Sequence, residues 1–174
     1  ATKVNLISAN GFDEHLPFLN ALIMELKMLD KEKYDVQIID FSGYFDLLTI
    51  GLTCYQSNFN DTLGKIISEA DKLEKETIYV ITGIGDLKSK VDANNMPFVN
   101  EYFKNTANNP KIHFIFIETY DNLNTLKIED WYVAIVENNY GIWLGADVGS
   151  QTVISFNGLT SDDRMVNNPD FCFA

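Results

Sequence analysis

The sequence is poor in positive charge. Its 174 residues include 13 Lys and Arg against 25 Asp and Glu, which gives a formal net charge of −12, and Arg164 is the only arginine. A nucleic-acid groove needs clustered cations to neutralise phosphates. The composition therefore argues against a DNA- or RNA-binding protein.

Cysteines and long apolar runs are also scarce. Cys54 and Cys172 are too few for a disulfide framework or a zinc set. No apolar run approaches the ~18 residues of a membrane span, and Lys3 leads into a mixed segment, unlike a signal peptide. A hydrophobic fraction of 46% excludes a disordered chain. We expect a reduced, cytosolic, acidic globular domain, and the start without Met suggests a piece of a longer chain.

Apolar segments of two kinds alternate along the chain. Short apolar runs predict six strands: Val4–Ser8, Val36–Phe41, Ile78–Ile84, Ile112–Glu118, Gly141–Gly145 and Thr152–Phe156. Helical spacing predicts helices that begin at Leu16, Asp61, Pro97 and Ile128, with an irregular loop or short helix over 42–59. This order predicts a single α/β domain over residues 1–174, with a mainly parallel central sheet flanked by helices on both faces.

The turn after the first strand is the first candidate site, because such sheets bind ligands beyond the carboxyl ends of their strands. A phosphate-binding loop would end in Lys-Ser or Lys-Thr. Here Asn10 and Gly11 supply a turn, but Asp13, Glu14 and His15 follow. A carboxylate about 4 Å from a phosphate costs roughly 4 kcal/mol at an effective dielectric of 20, whereas a helix N-terminus returns only ~0.3–1 kcal/mol. Tight triphosphate binding is not expected, and Asp13 or Glu14 is predicted to cap the helix.

Chemistry-bearing residues elsewhere are weak candidates. The third strand ends in Thr82-Gly83, where an ATPase needs an acid, and Asp86 is interpreted as a turn residue. His113 lies within an apolar strand and is predicted to be a core residue, while His15 is predicted to be the more exposed histidine. No Ser or Cys nucleophile stands near His15 in the sequence, so we predict no catalytic residue and no metal site.

Aromatic residues near the predicted strand ends are the candidates for contacts with a protein partner. They are Tyr120 and the loop around Tyr44 and Tyr55. The competing interpretation is that these rings fill the core, as most aromatic rings do.

Several segments resemble one protein family. Leu22–Leu26 followed by Val36–Phe41 resembles the start of a P-loop domain in FtsK/SpoIIIE-type ATPases. Segments 78–87, 114–122, 131–132 and 140–145 resemble the last, third ATPase-like domain of the EssC-type coupling ATPases of type VII secretion systems. The resemblance covers nearly the whole chain and implies a RecA-like P-loop NTPase fold.

The same resemblance implies a degenerate nucleotide site. The phosphate-binding Lys-Ser/Thr of the family falls in the stretch 14–16, its two acids fall at Thr82 and Gly83, and the polar position after the fourth strand falls near Thr119. None of the key side chains is kept. The resemblance therefore implies no cofactor in this domain, with ATP and Mg bound by sister domains of the parent protein.

The resemblance also implies a role and a location. It implies a non-hydrolytic domain that helps to recognise secreted WXG100-like proteins and regulates export by packing against the preceding ATPase domain. The parent would be anchored in the bacterial cell membrane, with this domain on the cytoplasmic face. Two alternatives stay open: an active ATPase that uses substitute residues such as Asp86, and a small-molecule enzyme on a flavodoxin-like sheet.

Overall fold

The computed structural model describes residues 4–45, 51–106, 109–136, 140–166, 168 and 172–174. The strands are β1 Val4–Ala9, β2 Tyr34–Asp40, β3 Thr53–Tyr55, β4 Glu76–Thr82, β5 Ile112–Thr119, β6 Gly141–Leu144 and β7 Cys172–Phe173. The helices are α1 Leu16–Lys27, α2 Phe59–Glu69, α3 Leu87–Lys90, α4 Met96–Thr106, α5 Tyr120–Leu126, α6 Asp130–Ile135 and α7 Ser161–Arg164. Short 3₁₀ turns cover Phe12–His15, Ala70–Lys72 and Ile84–Asp86. None of the described helices has the length and apolarity to cross a bilayer.

The strands form one sheet with the order β3-β2-β4-β5-β1-β6-β7. All neighbours pair in parallel except β6 and β7, which are antiparallel. The predicted mainly parallel sheet is therefore confirmed. The order differs from the flavodoxin-like order 2-1-3-4-5, in which β1 lies between β2 and β3, because here β1 lies between β5 and β6. The flavodoxin-like sheet of that alternative is therefore wrong.

Helices cover both faces of the sheet, which explains the nearly continuous apolar character of its central strands. On one face, α1 buries Leu19, Ile23 and Leu26 against Ile38 of β2 and Val80 of β4. On the other face, α2, α4 and α6 pack against the sheet through an aromatic-rich core. Its largest side chains are Tyr79, Phe103, Phe116, Trp131 and Trp143.

One predicted strand is wrong, and five strands and helices were not predicted. Residues 152–156 form no strand, because the Gln151 side chain makes hydrogen bonds to the backbone there. Its Oε1 accepts from Val153 N at 2.9 Å and from Ile154 N at 2.8 Å. Its Nε2 donates to Ile154 O at 2.9 Å. Such local bonds compete with a strand ladder. The segment 42–59 contains the unpredicted strand β3. Its residues 46–50 lie outside the described part of the chain. Glu137, at the end of the helix predicted from Ile128, also lies outside the described part. The strand β7 and the helices α3, α5 and α7 were also not predicted.

We predict that Gly141 is required for the close approach of β6 to β1. An alanine Cβ at this position would lie 2.2 Å from the backbone oxygen of Leu6, so one strand would have to move. We expect Gly141→Ala to lower the free energy of unfolding by about 1–3 kcal/mol, as overpacking of a tight site does. Urea denaturation measures this change.

The control is Gly64→Ala on α2, where an added Cβ meets nothing within 4 Å. Alanine in a helix is favoured over glycine, so this variant should gain about 0.5–1 kcal/mol. Equal effects of the two substitutions would contradict the steric argument.

Candidate functional site

The topology places a switch point, here called the crevice, between β1 and β5 at the carboxyl edge of the sheet. The chain leaves β1 across one face toward β2, and it leaves β5 across the other face toward β6. Ligands of open α/β sheets bind where neighbouring connections diverge in this way. The register pairs Ser8 with Glu118 and Ala9 with Thr119 at the crevice. The structure thus brings together the predicted positions after β1 and β5, and Thr82 and Gly83 follow on the adjacent strand β4.

His15 closes the turn after β1. It ends the 3₁₀ turn, its exposed fraction is 0%, and neither ring nitrogen has a hydrogen-bond partner in the described structure. Burial lowers the pKa of His15 from 6.5 to about 4, so the ring is neutral at pH 7. The prediction that His15 is the more exposed histidine is wrong, since His113 is half-buried and its Nε2 lies 3.1 Å from Glu76 Oε2.

The two acids before His15 do not cap α1. The turn begins after Gly11 and α1 begins after His15, and neither start has a side-chain capping bond. Asp13 is exposed, and Glu14 is half-buried with an Oε2 atom that has no partner in the described structure. The 3₁₀ turn places both acids inside a helical segment and not at its N-cap position, so the capping prediction is wrong. Their charges stand beside the crevice without a compensating ion pair among the described residues.

Asp40 joins the ends of β2 and β4 through hydrogen bonds, and sequence reasoning did not identify this residue. Its side chain is buried and accepts bonds from Thr82 Oγ1 at 2.5 Å, Gln56 Nε2 at 2.9 Å, Ser42 Oγ at 3.0 Å and the backbone N–H groups of Gly43 and Phe45 at 2.9 Å. Burial opposes ionisation, but these bonds outweigh it and lower the pKa of Asp40. The sequence signal that could have identified Asp40 is an acidic residue at the end of an apolar strand.

Gly83 continues this strand end with a left-handed backbone. Its φ is +67°, and a Cβ there would lie 2.9 Å from Ser42 N. The resemblance assigns acids to these two positions. Here Thr82 makes a hydrogen bond to Asp40, and Gly83 forms a tight turn.

Glu118 is a second buried carboxylate, at the end of β5. Its Oε2 accepts from Gly85 N at 2.8 Å, and its Oε1 accepts from Thr119 N at 2.8 Å and Asn122 Nδ2 at 3.0 Å. Burial nevertheless raises the pKa of Glu118, because desolvation outweighs these bonds. Thr119 lies at the predicted polar position, and its backbone N–H and hydroxyl donate to Glu118.

The aromatic residues predicted to contact partners have different surroundings. Tyr44 is half-buried and its ring lies 4.6 Å from that of Phe12, which lies 5.4 Å from the His15 ring. Burial raises the pKa of Tyr44, and the nearby charges of Asp13, Glu118 and Asp40 raise it further. The surroundings of Tyr44 are therefore negative.

Tyr55 and Tyr120 are packed more closely. Tyr55 lies on the edge strand β3 and is partly buried against the core. Tyr120 starts α5 and packs edge-on against Trp143, with 6.1 Å between ring centroids. The roles of all three tyrosines in binding stay predictions.

The described side chains of the turn after β1 carry no positive charge that would compensate a phosphate. The turn presents two acids and a neutral imidazole. The described residues contain no group of three or more His, Cys, Asp or Glu side chains able to hold a metal. The nearby strand ends are joined by hydrogen bonds to Asp40 and Glu118.

The solved structures that this chain resembles are ATPase domains of secretion proteins. EssC (ATPases 2 and 3) from Geobacillus thermodenitrificans superposes with a TM-score of 0.64 and 13% identity over 95% of this chain and 33% of that one. The cytoplasmic domain of the Thermomonospora curvata type VII secretion ATPase EccC gives a TM-score of 0.67 and 10% identity over 97% of this chain and 22% of that one.

A third structure carries a ligand. It is Thermomonospora curvata EccC (ATPases 2 and 3) in complex with a signal sequence peptide, with a TM-score of 0.58 and 12% identity over 97% of this chain and 33% of that one. At such identities the similarity shows a shared fold, which confirms the predicted ATPase-domain architecture. The chain spans about a third or less of these proteins. No protein-family model and no curated protein matches the sequence.

We predict that Asp40 stabilises the strand edge through its acceptor oxygens. Asp40→Asn replaces one acceptor by an NH₂ group that faces N–H and O–H donors, and we expect a loss of about 1–3 kcal/mol in the free energy of unfolding. Asp35→Asn on the same strand is the matched control, because Asp35 accepts only from Gln37 among the described bonds. Urea denaturation of both variants measures the difference, and equal losses would contradict the role of Asp40.

We also predict that His15 makes the chain less stable in acid. The unfolded chain protonates His15 below pH 6.5, whereas the folded chain resists protonation down to about pH 4. The free energy of unfolding should therefore fall as pH decreases through this window, by about 3 kcal/mol in full. Denaturation at pH 7 and at pH 4.5 measures the fall.

His15→Leu should reduce this fall, and His113→Gln, the control, should keep it. The raised pKa of Glu118 acts in the opposite sense, since it favours the folded state at low pH. For this reason, the fall in the free energy of unfolding is compared between each variant and the wild type. An unchanged fall in His15→Leu would exclude His15 as its source.

Proposed function

We propose that this chain is a non-hydrolytic domain of a type VII secretion ATPase that contributes to recognition of secreted proteins and to regulation of export. The single observation behind the proposal is the combination of an ATPase-domain fold with acids and a neutral histidine after β1. The scaffold supports a protein-handling role in which the crevice itself holds no nucleotide.

Electrostatics supports the absence of nucleotide chemistry. Asp13 and Glu14 stand where the turn would meet phosphates, and the His15 ring, the nearest possible cation, is held neutral by burial. Thr82 is committed to Asp40 and Thr119 to Glu118. Repulsion of roughly 4 kcal/mol per close carboxylate exceeds what a helix N-terminus returns.

The proposed partners follow from the neighbours and from the charge of the chain. A structural neighbour binds a signal sequence peptide, so we propose that this chain binds a segment of a secreted WXG100-like protein. It would also dock against a preceding ATPase domain on the cytoplasmic face of the membrane, where ATP and Mg bind to the sister domains. Tyr44 is the proposed contact residue at the crevice, because it is half-buried and its surroundings are negative.

The experiment is calorimetric titration of the chain with ATP and Mg²⁺. We expect no binding tighter than about 10 μM, which corresponds to roughly 7 kcal/mol. A matched variant, Asp13→Asn with Glu14→Gln, removes both charges and should bind ATP better than the wild type if repulsion is the cause. If the wild type binds ATP more tightly than about 10 μM, the proposal that the crevice binds no nucleotide is contradicted.

A turnover assay on the parent protein tests the active-ATPase alternative. Asp86 is exposed on the turn after β4 and is the candidate substitute acid. Turnover by the parent protein that vanishes in Asp86→Ala but survives changes in its other ATPase domains would replace our proposal with that alternative.

A further inference from the structure

A pocket of about 230 Å³ opens beside the turn after β4, on the side of the sheet that α4 and α6 cover. Two short segments form its walls: 84–88, from the turn and α3, and 125–131, from the end of α5 to the start of α6. Both segments lie entirely within the described part of the chain. Four of the lining side chains also belong to the aromatic-rich core, namely Ile84, Leu87, Leu126 and Trp131. The pocket is therefore an unfilled position at the surface of that core.

Polar contacts join the two walls of the pocket. Glu118 joins them at the sheet, because its Oε2 accepts from Gly85 N and its Oε1 accepts from Asn122 Nδ2 on α5. Lys88 and Glu129 join them at the rim, where Lys88 Nζ lies 2.5 Å from Glu129 Oε1. Walls that are already held together need little reorganisation to bind a ligand.

The size and the charge of the pocket decide what can enter it. Its volume is below the ~300–1,000 Å³ of small-molecule sites, and at ~30 Å³ per water it equals about eight water molecules. This is room for one large side chain. The charged residues Lys88 and Glu129 that line it are paired with each other, so a charged side chain would be desolvated without a free partner. An apolar side chain would instead gain burial against Leu87, Leu126 and Trp131.

We propose that this pocket receives a single large apolar side chain, such as Leu, from a segment of a secreted protein. The inference rests on the proposed function and specifies where the segment is anchored. A structural neighbour binds a signal sequence peptide, and protein interfaces concentrate their binding energy in a few side chains that fill pockets. Ile128, which lines the pocket and is 85% exposed, extends the apolar contact to the rim.

The direct test titrates the chain with a short acetylated, amidated peptide in which one Leu is flanked by Ala and Gln, observed by nuclear magnetic resonance. We expect shifts in the methyl groups of Leu87 and Leu126 and in the indole signal of Trp131. The indole of Trp143, the other tryptophan, donates to Ala146 O and is the reference signal that should not move. Peptides with Ala or Asp in place of Leu should bind about tenfold more weakly or less, because they lose the buried apolar area. No binding of the Leu peptide, equal binding of all three peptides, or shifts confined to other surfaces would overturn the inference.

Two exposed apolar residues provide the matched pair. Ile128 lines the pocket, whereas Val133 on α6 is 57% exposed and lies outside it. Because both side chains are exposed, Ile128→Asp and Val133→Asp should both fold, which thermal melting verifies. We expect Ile128→Asp to weaken binding of the Leu peptide about tenfold or more and Val133→Asp to leave it unchanged. Equal weakening in both variants would overturn the assignment.

Other occupants of the pocket give different results. If the wild type dimerises in analytical ultracentrifugation and Ile128→Asp stays monomeric, the occupant is a second copy of this chain. If the parent protein does not bind the Leu peptide that this chain binds, another part of the parent covers the pocket. Either result overturns the inference.

Capture of secreted proteins separates this inference from the proposed function. If the wild type captures them and Ile128→Asp captures them equally, the pocket assignment fails while the proposed function stands. If the wild type captures none, the proposed function fails and the assignment fails with it. Loss of capture in Ile128→Asp with retention in Val133→Asp supports both.

Discussion

The hydrogen bonds of Asp40 are the constraint on which the carboxyl edge of this sheet depends. One buried carboxylate joins the end of β2 to the end of β4 through Thr82, and it fixes the backbone from Gly43 to Phe45. A buried charge is tolerated only when its acceptor sites are filled, and here five donors fill them. The loop that carries Tyr44 is consequently held beside the turn after β1, where Tyr44 contacts Phe12.

At the same edge, the side chains that follow the strands are bonded to one another. The fold sets the strand order, the diverging connections and the crevice, but the chemistry there depends on a few side chains. In this chain Glu118 is bonded to the turn at Gly85 and to the start of α5, while burial keeps His15 neutral. These interactions stabilise the strand ends and leave the outer surface near Asp13 negative.

A groove of about 550 Å³ between α1 and β6 differs from the acidic turn after β1. Apolar side chains form most of its walls, among them Phe18, Leu22 and Ile142. The irregular segment held by Gln151 leads directly into the wall at Phe156.

Much of the fold could be predicted from the sequence, because apolar periodicity reports which segments are buried. Runs such as Val36–Ile39 and Ile112–Ile117 are buried on both faces of a parallel sheet, and the spacing of Leu19, Ile23 and Leu26 marks one helix face. Periodicity failed at Val153 and Ile154, which are buried and apolar but whose backbone bonds to Gln151. It also failed for β3 and β7, which have three and two residues and exist only because a longer strand lies beside them.

The sequence by itself determined the acidity of the chain and the lack of a lysine and hydroxyl after β1, since these are properties of composition and order. Only the tertiary structure decided that His15 is buried and neutral, that neither Asp13 nor Glu14 caps a helix, and that Asp40 collects donors as distant in sequence as Thr82. The physical reason is that burial and hydrogen bonding are set by neighbours across the sheet. Local sequence does not specify which residues those neighbours are.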